Sequence, residues 1–244
     1  MMKLGLRPAR RDPRTLKLAS YLPAVLPEVP DAIDESREVD PWPLFQNDRI
    51  GNCAIVAALH MEMHWHSEAG REFVPTDQDA IDAYEAVGGY VAGHPETDEG
   101  CTALDTLRYW KRNGIARKQI AAYVALDAVN ERHVRTSVYL FSGVYVGLQL
   151  PRSAMRQDLW DAADGPSGRV GSWGGHAVHV LGYSPAELLC VTWGKVKRMT
   201  WDFWNRYAGE AYAVLSENDL CSTGLTEEGF DLEQLRANLE ALKA

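Results

Sequence analysis

The stretch that decides the fold is NDRIGNC, residues 47–53, followed directly by AIVAALHM, residues 54–61. The second run is apolar and tolerated by helices, so it predicts a buried helix that begins near Cys53. The unpaired N–H groups and the positive dipole end at a helix N-terminus favour a thiolate over a thiol. The stretch therefore indicates that Cys53 is a candidate nucleophile.

A histidine enters an apolar strand far downstream, in GGHAVHVLGY, residues 174–183. An early cysteine and a late histidine are typical of a Cys-His hydrolase, in which the imidazole accepts the thiol proton and later returns it to the leaving group. A lone cysteine is more often a small buried hydrophobe. The presence of His176 is what favours the catalytic interpretation of Cys53.

These residues resemble papain-like cysteine peptidases, of the bacterial or bacteriophage type. The segments HAV (176–178) with GY (182–183), WG (193–194) and EAYAVL (210–215) are similar to the family's histidine, Trp-Gly and final-strand segments. The family's oxyanion glutamine lies six residues before the cysteine, where this chain has Asn47, with Gln46 beside it. The resemblance covers roughly residues 42 to 216.

The resemblance implies an α+β fold of two lobes, a helical lobe packed against a β-sheet or open-barrel lobe, with the active site in the cleft. We expect a basic arm and proline-rich wrapping segment at 1–45, a helical lobe with Cys53 at 46–135 and a β lobe with His176 at 136–222. Residues 226–244 are predicted to form a C-terminal amphipathic helix, because leucines recur there at spacings of three and four.

Capping patterns and alternation give more local predictions. Thr76 with Asp79, and Thr102 with Asp105, predict two further helix starts in the helical lobe. Strands are predicted at 144–150, 177–182, 188–193 and 211–215.

In a site similar to that of the family, Cys53 would attack a carbonyl and His176 would act as base and then as acid. The N–H of Cys53 and the Asn47 amide would hold the oxyanion. We expect the cleft to be lined by Gln46, Trp173, Gly174, Gly175 and Trp193. No cofactor is expected, and the expected substrate is a peptide or protein.

The chain departs from the family at the residue that orients the histidine. Alignment on Trp193-Gly194 puts Val191 at the family's asparagine, and valine makes no hydrogen bond. A slipped or bulged strand could bring Thr192 to the imidazole, the site could be a Cys-His dyad, or it could be degenerate. We favour Thr192 or a dyad.

Two functions therefore remain open. The first is a cysteine-dependent hydrolase of peptide or amide bonds. The second is a catalytically degenerate papain-like module that serves as a binding or structural protein, for example in a phage particle. Val191 favours this second function, and the Cys53–His176 pair argues against it.

Composition limits partners and location. A net charge of −9, from 34 acidic and 25 basic residues, argues against nucleic-acid binding. The chain lacks an apolar run of about 20 residues and the apolar core of a secretory signal. We expect a cytoplasmic or virion-associated protein with no membrane contact. The basic arm at 1–20 suggests an acidic docking partner.

The remaining cysteines and histidines are weaker candidates for functional residues. The four cysteines are too scattered for a disulfide framework, so Cys101 and Cys190 are expected to be small buried hydrophobes. His60, His64 and His66 lack the zincin spacing, and we predict no metal there.

Overall fold

The computed structural model describes residues 2–25, 28–216 and 230–242. Within these ranges six α-helices accompany one mixed sheet, with short 3-10 turns between them. The helices are α1 (Cys53–Glu68), α2 (Asp77–Gly88), α3 (Ala103–Asn113), α4 (Glu131–Phe141), α5 (Trp201–Tyr207) and α6 (Leu232–Ala241). None of the helices in the described ranges is long and apolar enough to cross a membrane.

The sheet has eight strands and does not close. The strands are β1 (Ile33–Asp34), β2 (Ile120–Ala125), β3 (Val144–Leu150), β4 (Leu159–Trp160), β5 (Gly174–Tyr183), β6 (Glu187–Thr192), β7 (Lys195–Thr200) and β8 (Ala208–Ser216). Their order is β2-β8-β3-β5-β6-β7-β4, and β1 pairs with β5 beyond the end of β3. The predicted α+β architecture is confirmed.

The helix α1 lies between the sheet and the helices α2 and α3. Its residues 53–64 are all buried, because its apolar surface continues around the whole helix instead of forming one stripe. The hydroxyl of Tyr145 on β3 donates to the carbonyl of Ala54 at 2.9 Å, which fixes the first turn of α1 against the sheet. Two hydrophobic clusters result, one between the sheet and α1 to α3 and one on the opposite face under α4 to α6.

The local capping predictions are confirmed. Thr76 and Asp79 form a reciprocal capping box at the start of α2, and Gly89 ends that helix in the left-handed region at φ 72°. The Thr102 hydroxyl accepts from the Asp105 N–H at the start of α3. The four predicted strands are also present, within one to three residues at each end.

The strands β2 and β7 were not predicted. Ala-rich β2 lies inside the range 46–135, and it pairs with β8 as an outer strand of the sheet. In β7 most side chains are exposed or half-buried, so the apolar alternation that reveals a strand is missing.

The basic arm forms ion pairs with acidic residues of the same chain. Lys3 pairs with Asp98 and Arg7 with Glu99, each at 3.0 Å, and Arg10 pairs with Asp105 at 3.1 Å. Part of its positive charge is therefore matched by acidic residues around the start of α3. The expected external acidic partner receives no support from these contacts.

The C-terminal helix packs on its own domain. Leu232, Leu235 and Leu239 are buried in the cluster under the sheet, and the side-chain amide of Asn238 donates to the Tyr21 hydroxyl at 3.0 Å. The predicted range 226–244 extends beyond the described helix, since 217–229 and 243–244 lie outside the described residues.

We expect Leu235→Ala to lower the free energy of unfolding by about 2–5 kcal/mol, because it removes a fully buried side chain from a packed core. Leu242→Ala is the matched control, since Leu242 is 48% exposed, and it should change stability by less than about 0.5 kcal/mol. Urea denaturation of both variants measures the difference. Equal effects would mean that α6 does not depend on this packing.

Candidate active site

Cys53 is the first residue of α1, as predicted, and it faces the sheet. Its side chain is only 1% exposed, and its Sγ accepts a hydrogen bond from the Ala177 N–H on β5 at 3.4 Å. The preceding loop is held by Asn52, whose side-chain amide donates to the Phe45 carbonyl at 2.8 Å. The thiol is therefore fixed at the junction of α1 and β5.

The N–H groups at the start of α1 favour a Cys53 thiolate, as expected, but burial outweighs them in this arrangement. Burial raises the pKa of the Cys53 thiol from 9.0 to about 11, although the N–H groups of Ala177, Gly5 and Ala54 act in the opposite direction. That rise corresponds to roughly 3 kcal/mol against the thiolate. A helix N-terminus contributes about 0.3–1 kcal/mol, which is smaller than the cost of burial.

His176 lies next to Ala177 on β5 and is completely buried. Its Nε2 is 2.6 Å from the Thr192 Oγ1, while its Nδ1 has no hydrogen-bond partner. Burial lowers the pKa of His176 to about 3, so the imidazole is neutral. With Nε2 occupied by Thr192, Nδ1 is the nitrogen left to accept a proton.

The strand register explains why Thr192 and not Val191 meets the histidine. His179 pairs with Val191 and Val180 with Cys190, but the pairing shifts by one residue before Gly182 meets Leu189. In the half of β6 nearest the site, this register puts Thr192 on the same face of the sheet as His176. Val191 points to the opposite face and packs in the cluster around α1.

One tryptophan covers the imidazole and a second packs against the first. The Trp193 ring stacks on His176 with centroids 4.3 Å apart and planes 19° apart, and Trp173 lies 5.6 Å from Trp193. Side chains on a strand alternate between its two faces, but Trp193 has φ 47° and leaves the strand conformation. Residues 192 and 193 can therefore both contact His176. The rings restrict water access to the hydrogen bond between His176 and Thr192.

The two amides predicted near the oxyanion have other partners. The Asn47 side chain is buried and its Nδ2 donates to the Ile50 carbonyl at 3.2 Å. Gln46 reaches Asp77 at the start of α2, with Nε2 and Oδ2 3.3 Å apart. Asn47 retains a second amide hydrogen, so its oxyanion role stays a prediction.

The N-terminal arm fills the cleft beside Cys53. The Gly5 carbonyl accepts from the Cys101 N–H at 2.8 Å, and the Leu6 N–H donates to the Gly175 carbonyl at 3.1 Å. The indole of Trp193 donates to the Lys3 carbonyl at 3.2 Å. Both walls of the cleft therefore bind the backbone of this segment.

The backbone of the arm lies so close to its neighbours that only glycine fits at Gly5 and at Gly100. A Cβ on Gly5 would lie 1.8 Å from the Gly51 carbonyl oxygen, and one on Gly100 would lie 1.9 Å from the Gly5 oxygen. Leu4 also lies over Gly174. The sequence pattern gave no sign of this segment's place, because its charges indicate a solvated tail.

Asp98 holds the arm and the loop before Cys53 together. Its Oδ1 accepts from the Gly51 N–H and from the Tyr84 hydroxyl, each at 2.7 Å, and its Oδ2 accepts from Lys3 at 3.0 Å. Burial opposes the charged carboxylate, but these hydrogen bonds lower the pKa of Asp98. The segment DEGC, residues 98–101, contacts the arm directly.

The three cysteines among the described residues are free and buried, as expected for Cys101 and Cys190. Cys221 lies outside the described residues.

Comparison with sequence-family models gives no match, and comparison with curated proteins gives none either. Solved structures do resemble the chain. Xylellain, a cysteine protease from Xylella fastidiosa, has a TM-score of 0.66 at 14% identity, over 88% of this chain and 96% of xylellain.

Two further structures agree. Procathepsin B S9 from Trypanosoma congolense has a TM-score of 0.58 at 14% identity and covers 87% of each chain. The Carica candamarcensis cysteine protease CMS1MS2, solved in complex with E-64, has a TM-score of 0.56 at 14% identity, over 77% of this chain and 99% of the protease. None of these three is described as a phage or virion protein. The chain has the papain-like fold of cysteine proteases.

Proposed function

We propose that this protein is a cysteine-dependent hydrolase of peptide or amide bonds, held latent by its own N-terminal arm. One observation carries the proposal: the His176 imidazole has one nitrogen on Thr192 and the other free, while its neighbour Ala177 contacts the Cys53 thiol. In a degenerate site, no selection would maintain these contacts of His176 and Ala177.

In the proposed mechanism His176 Nδ1 takes the thiol proton as Cys53 Sγ attacks the carbonyl carbon. The Nε2–H donates to Thr192 Oγ1, which holds the tautomer with a free lone pair on Nδ1. The tetrahedral oxyanion is stabilised by the Cys53 N–H and the Asn47 amide. His176 then protonates the leaving amine, and water cleaves the thioester by the reverse transfers.

The arm supports an extended peptide as the ligand of this cleft. Residues 5–7 exchange backbone hydrogen bonds with Cys101 on one wall, and Leu6 binds Gly175 on the other. Backbone recognition of this kind is independent of side-chain sequence. The substrate is therefore proposed to be an unfolded or extended polypeptide segment.

The arm adds to the burial that raises the pKa of the Cys53 thiol, although the Gly5 N–H acts in the opposite direction. Gly5 lies against Cys53 and shields it from water. Displacement of residues 2–7 would let water reach the thiol, and the pKa should then fall towards its ordinary value. Activity should therefore require release of the arm.

Cys53→Ala and His176→Ala should each abolish hydrolysis of unfolded casein, because neither nucleophile nor base has a substitute in the site. Cys190→Ala is the matched control, since Cys190 is another buried thiol, packed in the hydrophobic cluster under α4 to α6, and it should retain turnover. Circular dichroism checks that all three variants fold. Turnover that persists without Cys53 or His176 would contradict the proposal and favour the non-catalytic binding module.

Thr192→Val should lower kcat by about 10–100-fold, as is usual when an outer hydrogen-bond partner of a functional histidine is lost. Thr192→Ser retains the hydroxyl and should recover most of the rate. KM should stay unchanged in both, and the pH profile of kcat should change only in the valine variant. A loss of thermal stability without a change in kcat would mean that Thr192 is only structural.

Gly5→Ala should release the arm, because its Cβ cannot fit against the Gly51 carbonyl. Alkylation of Cys53 by iodoacetamide at pH 7, followed by peptide mass mapping, should accelerate by at least ~10-fold as the thiolate fraction rises. In the unaltered chain the rate should keep rising as the pH approaches about 11. Gly209→Ala, whose added Cβ makes only ordinary contacts, is the control; equal rates in all forms would show that the arm does not protect the thiol.

A further inference from the structure

A second group of chemically active side chains lies at the far end of α1. The Nε2 of His64 is 3.3 Å from Glu35 Oε2 and 3.9 Å from Glu68 Oε1. One ligand atom from each residue lies within 4.8 Å of the others. Glu35 follows β1, whereas His64 and Glu68 are one turn apart on α1.

The histidine of this group is buried and points between the carboxylates. Its side chain is fully inaccessible, and neither its Nε2 nor Glu35 Oε2 has a hydrogen-bond partner. Leaving such buried polar atoms unpaired is costly. A cation or a proton is therefore required between the imidazole and the two carboxylates.

The surroundings orient these three side chains. The Nδ1 of His64 is 3.1 Å from the Nε2 of His179 on β5, and a proton on Nδ1 would leave the Nε2 lone pair facing Glu35 and Glu68. The Ser142 hydroxyl donates to Glu68 Oε1 at 2.9 Å. Metal ligands in proteins are typically held by such outer hydrogen bonds.

We propose that Glu35, His64 and Glu68 bind one divalent cation of the zinc class, with water as the fourth ligand. Bonds of about 2.0–2.1 Å in a tetrahedron separate the ligand atoms by about 3.3 Å. The spacing of His64 Nε2 and Glu35 Oε2 matches this value at 3.3 Å, and Glu68 Oε1, at 3.9 Å from His64 Nε2, would move slightly inward on binding. An imidazole ligand favours zinc over magnesium or calcium, which prefer oxygen alone. Glu38 adds a further negative charge close enough to repel the Glu68 carboxylate.

The bound cation would act on structure and not on the reaction. Eleven residues of α1 separate His64 from Cys53, a rise of about 16 Å. The cation would join the proline-rich segment after β1 to the C-terminal end of α1 and, through His179, to β5. The sequence predicted no metal at His64. It could not reveal this site, because Glu35 is remote from His64 in the chain.

The test is zinc titration of the full chain after removal of metal by a chelator, followed by calorimetry and thermal unfolding. We expect one equivalent to bind, and the unfolding midpoint to rise by roughly 5–10 °C at a hundredfold excess over Kd. Magnesium and calcium should not compete. If a proton occupies the site instead, the stripped protein will bind no zinc, and the proposal is overturned.

Glu35→Gln and Glu68→Gln are the decisive variants, since both side chains are partly exposed and the change preserves their size. Each should weaken zinc binding by at least ~100-fold, because even an outer partner contributes about 10–100-fold. Both retain every cysteine, so zinc that binds at thiols would persist in them. Glu96→Gln, from the exposed His94–Glu96 pair, is the control and should bind as the unaltered chain does; equal affinity in all variants would refute the site.

Discussion

The packing of α1 against β5 is the contact on which both ends of the molecule depend. At one end the Ala177 N–H meets the Cys53 thiol, and at the other His179 meets His64. Because residues 53–64 are buried on every side, α1 cannot rotate or slide without opening cavities in the core. This rigidity holds the Cys53 thiol against the Ala177 N–H, next to His176 on β5.

Burial is also the force that sets the chemistry of the site. It raises the pKa of Cys53 and lowers that of His176, so both groups are neutral in the arrangement described here. The helix N-terminus and the surrounding N–H groups favour the thiolate, but their contribution is smaller than the desolvation cost. In the proposed function the arm at residues 2–7 adds to that cost, and its release would make the thiol more reactive.

A threonine beside the histidine is chemically sufficient for orientation. Its Oγ1 lies 2.6 Å from Nε2 and, in the proposed tautomer, accepts from Nε2–H, while the stacked Trp193 shields the bond from water. In this chain the pairing of His179 with Val191 puts Thr192, and not Val191, on the face of His176. The His176 imidazole therefore has a polar partner, although Val191 stands at the position of the family's asparagine.

Several features of the fold could be predicted from sequence because they depend on near neighbours. The start of α1 at Cys53, the capping box at Thr76 and the strand of His176 each follow from local pattern and spacing. The strand β7 escaped prediction because its exposed side chains carry no apolar alternation.

By itself, the sequence determined the α+β architecture, the elements that carry Cys53 and His176, and Thr192 as a candidate partner of the imidazole. Only the tertiary structure decided that Thr192 is the one in contact, that the arm lies in the cleft, and that Glu35 meets His64. Contacts of this kind join residues far apart in the chain, and they depend on strand register and packing between elements. Local composition and periodicity do not encode those quantities.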